Sequence, residues 1–359
     1  MLDSWRHVAD RPGDLLVARV PVVSMASTAP PPLLHLGAAS IVGRRRDHNE
    51  DAFGFGAAGG SLATASGAAA SLAGAPPGVL LVVCDGVGGS NAGEVASALA
   101  VAALAESVGQ ARFAPESLLA AIRATDAIVR AKGAEHPGLR GMGATLTCVW
   151  IQDGRALWGQ VGDSRAYRWR RRSGNRRAES AQPETRNSEL ETRAAESGRP
   201  AIGNRQSAIE IPSPLFHFTP EHTPVARLVR DGLLYPAQAR KHRLRHVIDQ
   251  ALGGSPESFA PDAGELVVRP GDGFLLCSDG LTDGLDDAAL ATLLELHAHE
   301  PPAQLAQTLV AAANAASGRD NITALVLRVG EPPAAAPARS WFGWLTRWIQ
   351  LGRRRIPPA

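Results

Sequence analysis

The chain has 359 residues, 45% of them hydrophobic, which suffices for one large domain or two small ones. Its 37 Lys and Arg against 35 Asp and Glu leave a formal net charge of +2, which argues against a general nucleic-acid binder and leaves room for a local patch. Cys84, Cys148 and Cys277 lie inside apolar runs without zinc-site spacing, so they read as reduced packing residues of a cytoplasmic protein.

Residues 1–33 lack sustained periodicity and read as a loose extension. Their LLVARVPVV segment is short and interrupted by Arg19, a poor signal peptide, and no apolar stretch reaches the roughly twenty residues of a membrane span. The domain proper is expected over 34–330. HLGAASIVG has strand character, and RRRDHNEDAF follows it. Residues 56–78, mostly Ala, Gly and Ser, read as a flexible insertion between two strands. VLLVVCDG is an apolar run of the length of a buried strand, and EVASALAVAALAESV after it is a strongly apolar helix. Another helix runs from Pro115 to about Lys132, with Pro115 and Glu116 suited to its first turn.

ATLTCVWIQ and RALWGQVGDSRAYRW are two strands joined by an Asp153-Gly154 turn. Residues 170–214 turn polar and read as a disordered insertion, its arginines either solvated or touching a phosphate-rich partner. FHFTPEHTPVARLVRDGLL is a strand end and a helix, and ELVVRPGDGFLLCSDGL is a strand, a turn and a strand. Helices follow near Asp287–Ala298 and Ala303–Ala316, and NITALVLRV is the last strand. Strands grouped with strands and helices in pairs predict an α+β architecture. In the tail, 331–359, a PPAAAPA linker precedes Trp341, Phe342, Leu345, Trp348 and Ile349 at roughly helical spacing beside several arginines. That pattern fits a membrane-interface anchor, a partner-docking helix or a segment packed on the domain.

The chemistry sits in four acidic segments. VLLVVCDG and FLLCSDG both break at an Asp-Gly, at Asp85-Gly86 and Asp279-Gly280. A carboxylate at the tip of a buried strand costs free energy unless positive charge meets it. RDHNED near the start supplies Glu50 and Asp51, and GRDNIT near the end supplies Asp320. A lone Asp-Gly marks only a turn, whereas several at the ends of apolar runs read as one acidic cluster for a pair of hard divalent cations. Oxygen-only ligation points to magnesium or manganese, and Arg46 is the natural phosphate clamp, with Arg44 and Arg45 as solvated neighbours.

These segments resemble a known family. R-x-x-N-E-D at Arg46–Asp51, DGVGGSNAGE from Asp85, GMGATLT from Gly141, GDSRAY from Gly162, FTPEHT from Phe218, LCSDGLTDGL from Leu276 and GRDNITALVL from Gly318 occur in order. Together they are similar to the metal-dependent protein phosphatases (PPM, or type 2C serine/threonine phosphatases) in their bacterial branch. The resemblance covers roughly residues 34–330 outside the two insertions. It implies a four-layer α/β/β/α sandwich with two central antiparallel sheets and two Mn2+ or Mg2+ ions at one end. It implies that Asp85 bridges both metals, that the Gly86 carbonyl is a further ligand and that Asp279 and Asp320 complete the site. Glu50 and Asp51 would act directly or through water, and Arg46 would bind the substrate phosphate. A metal-bridging hydroxide would then hydrolyse phosphoserine or phosphothreonine in proteins without a covalent phosphoenzyme, opposing a Ser/Thr kinase. Asp163 and Ser164 in GDSR would support the sheet end.

The chain also departs from the pattern. Val87 stands where some eukaryotic members have a histidine, which leaves the proton donor unassigned. Gly138 stands where bacterial members often have the aspartate of a third ion, with His136 nearby, and Glu221 replaces an aspartate before His222. A third ion is thereby left without its usual ligand. His222 either orders the flap or is a satisfied structural histidine. Two other functions compete: a non-catalytic binding module on the same sandwich, and a two-metal nuclease or small-molecule phosphoesterase. The retained acids speak against the first, and the lack of an aromatic-basic groove pattern against nucleic acid.

Overall fold

The computed structural model describes residues 31–87, 92–170, 215–254 and 259–330. The loose extension up to residue 30, GGSN at 88–91, the polar stretch at 171–214 and the tail from residue 331 lie outside the described residues.

In chain order the first half comprises β1 (Leu33–Ile41), β2 (Asp51–Ala57), β3 (Ala69–Ala73), β4 (Val79–Val87), α1 (Ala92–Gly109), α2 (Pro115–Glu135), β5 (Gly143–Ala144), β6 (Leu146–Gln152), β7 (Arg155–Val161) and β8 (Arg165–Arg170). The second half comprises β9 (Leu215–His217), α3 (Pro224–Arg230), α4 (Pro236–Ala239), β10 (Asp262–Val267), β11 (Asp272–Cys277), α5 (Asp279–Gly284), α6 (Asp287–Leu296), α7 (Pro302–Ala316) and β12 (Ile322–Val329).

Two antiparallel sheets form the centre. One runs β3-β1-β12-β11-β8-β9 and the other β10-β7-β6-β4-β2, with β5 paired to β4. Alternation along the strands makes three apolar layers. On β4, Leu80, Val82 and Cys84 face α1 and α2, while Val79, Leu81 and Val83 face the opposite sheet. On β12, Leu325, Leu327 and Val329 fill the space between the sheets, while Ile322, Ala324 and Val326 meet α5, α6 and α7. The result is a four-layer α/β/β/α sandwich of α+β class.

Local chemistry sets the element ends. Pro115 opens α2, whose buried Leu118, Ala121, Ile122, Thr125 and Val129 repeat at helical spacing. Thr223 caps α3 by accepting from the Ala226 N–H, and Asp286 caps α6 by accepting from Ala289. Asp153 and Gly154 both have positive φ, 49° and 75°, which closes the tight hairpin between β6 and β7.

One expectation is corrected. Residues 56–78, read as a flexible insertion, contain β3, which pairs with β1 from Leu33↔Ala73 to Gly37↔Ala69. Ala70 and Leu72 of that strand pack onto the inter-sheet core. The stretch carries few bulky residues, so its composition hides an edge strand that pairing with β1 holds in place.

Candidate active site

The acids converge at one end of the two sheets. Asp51 opens β2 and lies in register with Asp85 on β4. Asp320 lies just before β12. Asp279, expected at a strand tip, is instead the first residue of α5; β11 stops at Cys277 and Ser278 is the N-cap. The first turn of a helix favours a carboxylate, so the change of element keeps the acid in place.

The two Asp-Gly pairs share a packing device. A Cβ on Gly86 would lie 2.2 Å from the Gly93 carbonyl oxygen and 2.8 Å from that of Glu50, and the Gly86 N–H donates to the same Glu50 oxygen at 3.1 Å. A Cβ on Gly280 would lie 2.0 Å from the Asn321 carbonyl oxygen. Glycine lets each acid-bearing segment press against the backbone of another acid-bearing segment.

Side chains around the acids hold them in orientation. The Oδ2 of Asp51 accepts from Ser278 Oγ and from Thr323 Oγ1, each at 2.7 Å. Thr145 Oγ1 accepts from the Asp85 N–H at 2.9 Å and contacts Ser164 Oγ at 2.8 Å. Asn321 accepts from the Glu50 N–H and donates to the carbonyls of Val42 and His48. Arg46 donates to Asp320 Oδ2 at 2.8 Å and to Glu50 Oε2 at 3.4 Å, while its own side chain stays half-exposed. Arg44 is tied to the carbonyls of Ala315 and Ser317, away from the acids.

The site is short of positive charge. Burial pushes the Asp51 carboxyl up to about 7 despite its two hydroxyl donors, and Asp279 and Asp320 add to the rise. Burial and then the charge of Asp51 push Asp85 well above the usual carboxylate range. Burial, with Asp279 and Glu221 close by, pushes Asp163 up to about 8. The guanidinium of Arg46 is held above its ordinary value, first by its hydrogen bond to Asp320.

The donors fit hard divalent cations. Asp51 Oδ1 and Asp279 Oδ1 are buried and have no hydrogen-bond partner. Every nearby acidic donor is oxygen, the preference of magnesium and manganese. Among the described residues no three His, Cys, Asp or Glu side chains form a group that could hold a metal ion as they stand. Uncompensated carboxylates repel one another, and such cations complete their shells with carbonyls and water, roles open to Gly86 and solvent.

Asp163 is buried and faces Asp279, and Ser164 is tied to Thr145, so GDSR lies against the acids. Val87 is 40% exposed at the rim. Gly138 and His136 lie exposed beside Leu139, and a Cβ on Gly138 would meet nothing within 4 Å. Glu221 pairs with Arg165 at 2.5 Å. His222 has both ring nitrogens engaged: Nδ1 accepts from the Gly162 N–H, and Nε2 faces Asp262 at 2.9 Å. It is a satisfied histidine that ties the segment after β9 to the end of β7.

Sequence reasoning passed over Ser278 and Thr323, although each is a polar residue inside an apolar run next to a motif acid. It also passed over His246, whose Nδ1 lies 3.5 Å from Asp279 Oδ2 and whose Nε2 lies 3.6 Å from Asp283. Nothing local marks that histidine.

The profile of the family described as Protein phosphatase 2C matches residues 67–312, which takes in Asp85, Asp163 and Asp279. The chain belongs to the protein phosphatase 2C family. Among protein phosphatase 2C relatives, the serine/threonine protein phosphatase PstP of Mycobacterium tuberculosis H37Rv is 32% identical over 254 residues, 70% of this chain and 40% of PstP. The chain thus spans 40% of the length of that relative. Protein phosphatase PhpP of Streptococcus pneumoniae serotype 2 is 27% identical over 264 residues, 71% of this chain and 87% of PhpP. The crystal structure of M. tuberculosis PstP superposes with a TM-score of 0.60 at 28% identity, covering 83% of this chain and 100% of that one. A second PstP structure, of the catalytic domain with two manganese ions, gives 0.57 at 28% identity, with 83% and 100% coverage.

Proposed function

We propose that this protein phosphatase 2C hydrolyses phosphoserine and phosphothreonine in proteins, opposing a Ser/Thr kinase, with two Mn2+ or Mg2+ ions held by Glu50, Asp51, Asp85, the Gly86 carbonyl, Asp279 and Asp320. The observation that carries this reading is the pair of buried, unpartnered oxygens on Asp51 and Asp279 at an end of the sandwich deficient in positive charge. The two ions would supply Lewis-acid activation of a water molecule and neutralise charge on the phosphate.

The chain's own groups do the rest. Arg46, half-exposed and already meeting two carboxylates, presents a planar fork that matches phosphate oxygens. Ser278 and Thr323 aim Asp51, and Asn321 fixes the backbone of Glu50. Water is the nucleophile in this reading: among the described residues, the hydroxyls beside the acids, of Thr145, Ser278 and Thr323, are buried and engaged in hydrogen bonds. Its oxygen bonds to phosphorus as the bond to the seryl or threonyl oxygen breaks. The products are inorganic phosphate and the free hydroxyl. A reducing, cytoplasmic setting belongs to this reading and is supported by three buried free thiols.

Asp279→Asn tests the assignment. It should abolish manganese-dependent hydrolysis of p-nitrophenyl phosphate and weaken manganese binding in a calorimetric titration. Full activity in that variant would refute it.

A further inference from the structure

Gln160 is an amide buried completely in the apolar space between the sheets. It lies on β7 with Ala156 and Trp158, which pack onto that core, and in register with Thr147 on β6. A buried amide is costly unless its hydrogen bonds are made, and here both polar atoms are bonded. Its Oε1 accepts from Thr147 Oγ1 at 2.8 Å, and its Nε2 donates to the carbonyls of Gly162 at 3.1 Å and Ser164 at 2.8 Å. Those carbonyls fix the direction of the amide, because a flipped amide would set oxygen against oxygen. They also stand on either side of Asp163. One amide group therefore grips the backbone before and after a buried carboxylate that lines the same cleft as Asp279.

Other groups pin the same turn. Gly162 has a φ of 92°, its N–H donates to His222 Nδ1, and its carbonyl accepts from the His222 N–H at 2.9 Å. Ser164 Oγ lies 2.8 Å from Thr145 Oγ1, which accepts from the Asp85 N–H. Among the described residues the Asp163 carboxylate takes no hydrogen bond from another side chain, only one from its own backbone. Asp51 is aimed by the hydroxyls of Ser278 and Thr323, whereas Asp163 is aimed by the turn that carries it. We infer that Gln160 is a positioning residue of the active site: by holding the carbonyls of Gly162 and Ser164 it sets Asp163 against Asp279, and so raises the affinity of the acid cluster for divalent cations. The inference rests on the metal assignment above and adds a residue outside it. Gln160 is buried and acts only through Asp163.

Gln160→Met keeps the length of the side chain and removes the amide. In a calorimetric titration it should bind manganese about tenfold more weakly than the unaltered chain, the scale of losing a group that orients a site from behind. An Asp163→Asn background separates positioning from general loosening. There Gln160→Met should weaken binding by no more than about twofold, because the group it positions has gone. Thr147→Val removes the donor to Oε1 and keeps the shape, so it should weaken binding about threefold; Thr147→Ser keeps the hydroxyl and should bind as the unaltered chain does. This second pair carries the test should Gln160→Met fail to fold. Equal affinity in Gln160→Met and the unaltered chain, or an equal loss with and without Asp163, would overturn the role of Gln160 alone. With Gln160→Met unfolded, undiminished affinity in Thr147→Val would do the same. Absence of manganese binding by the unaltered chain would sink the metal assignment beneath it.

Discussion

Thr323 on β12 donates a 2.7 Å hydrogen bond to Asp51 on β2, joining the two sheets at the end where the acids meet. It is the last step of a directed chain. Asn49 Nδ2 donates to Ser40 Oγ, and Ser40 Oγ lies 2.8 Å from Thr323 Oγ1. With the Thr323 proton committed to Asp51, Ser40 must donate to Thr323. Ser278 reaches the same Asp51 oxygen while accepting from the Thr323 N–H. The other Asp51 oxygen is left bare, so the carboxylate is oriented on one side and open on the other.

Thr323→Val keeps the shape and removes the donor. Hydrogen bonds to charged groups are worth about 1.5–3 kcal/mol, so the variant should lose stability of that order above pH 7, read by urea melts. Loss of an orienting partner should also weaken manganese binding by about tenfold in calorimetric titration. Unchanged affinity would show that the chain of hydroxyls does not aim Asp51 at a metal.

Arg46 should act on phosphate. Arg46→Ala should lower kcat/KM on a phosphothreonine peptide by about 10- to 100-fold, the worth of one or two charge-assisted hydrogen bonds. Arg46→Lys should recover only part of this, because an ammonium lacks the planar fork. Equal kinetics for all three proteins would remove Arg46 from the site.

Stability of the metal-free chain should fall with pH at this site. The folded state raises Asp51 from 3.8 to about 7, so it binds the proton more tightly than the unfolded chain. Such a group favours folding fully below pH 3.8, and that contribution is lost as pH rises to about 7. Asp163 extends the loss to about pH 8. Asp51→Asn should flatten the decline in thermal midpoint between pH 4 and 7, and manganese should stabilise the unaltered chain more strongly as pH rises. A steeper decline in Asp51→Asn would contradict the assignment.

Gly86→Ala forces a methyl against the Gly93 carbonyl, at 2.2 Å without relaxation. Backbone cannot yield as a side-chain tip can, so the expected cost is about 1–3 kcal/mol in urea-induced unfolding. A neutral substitution would mean that the Asp85 strand and the start of α1 have more freedom than their packing implies.

Much of the frame was legible along the chain. The apolar runs ending at Asp85 and Cys277 became β4 and β11, and NITALVLRV became β12. Their alternation, visible residue by residue, sorted into the layers on either side of each sheet. What failed had a physical cause. The Ala- and Ser-rich β3 carries little hydrophobic signal of its own and is held by pairing with β1. Asp279 begins a helix because the chain turns immediately after Ser278 to pack Gly280 on Asn321.

Linear order sufficed for the strands, the Asp-Gly breaks and the types of donor, since each depends on a few neighbouring residues. Only the folded molecule decided that Thr323 and Ser278 would aim Asp51 and that His246 would stand against Asp279. Those contacts join segments far apart in the chain, and the packing of one sheet on the other selects them, a choice no local stretch encodes.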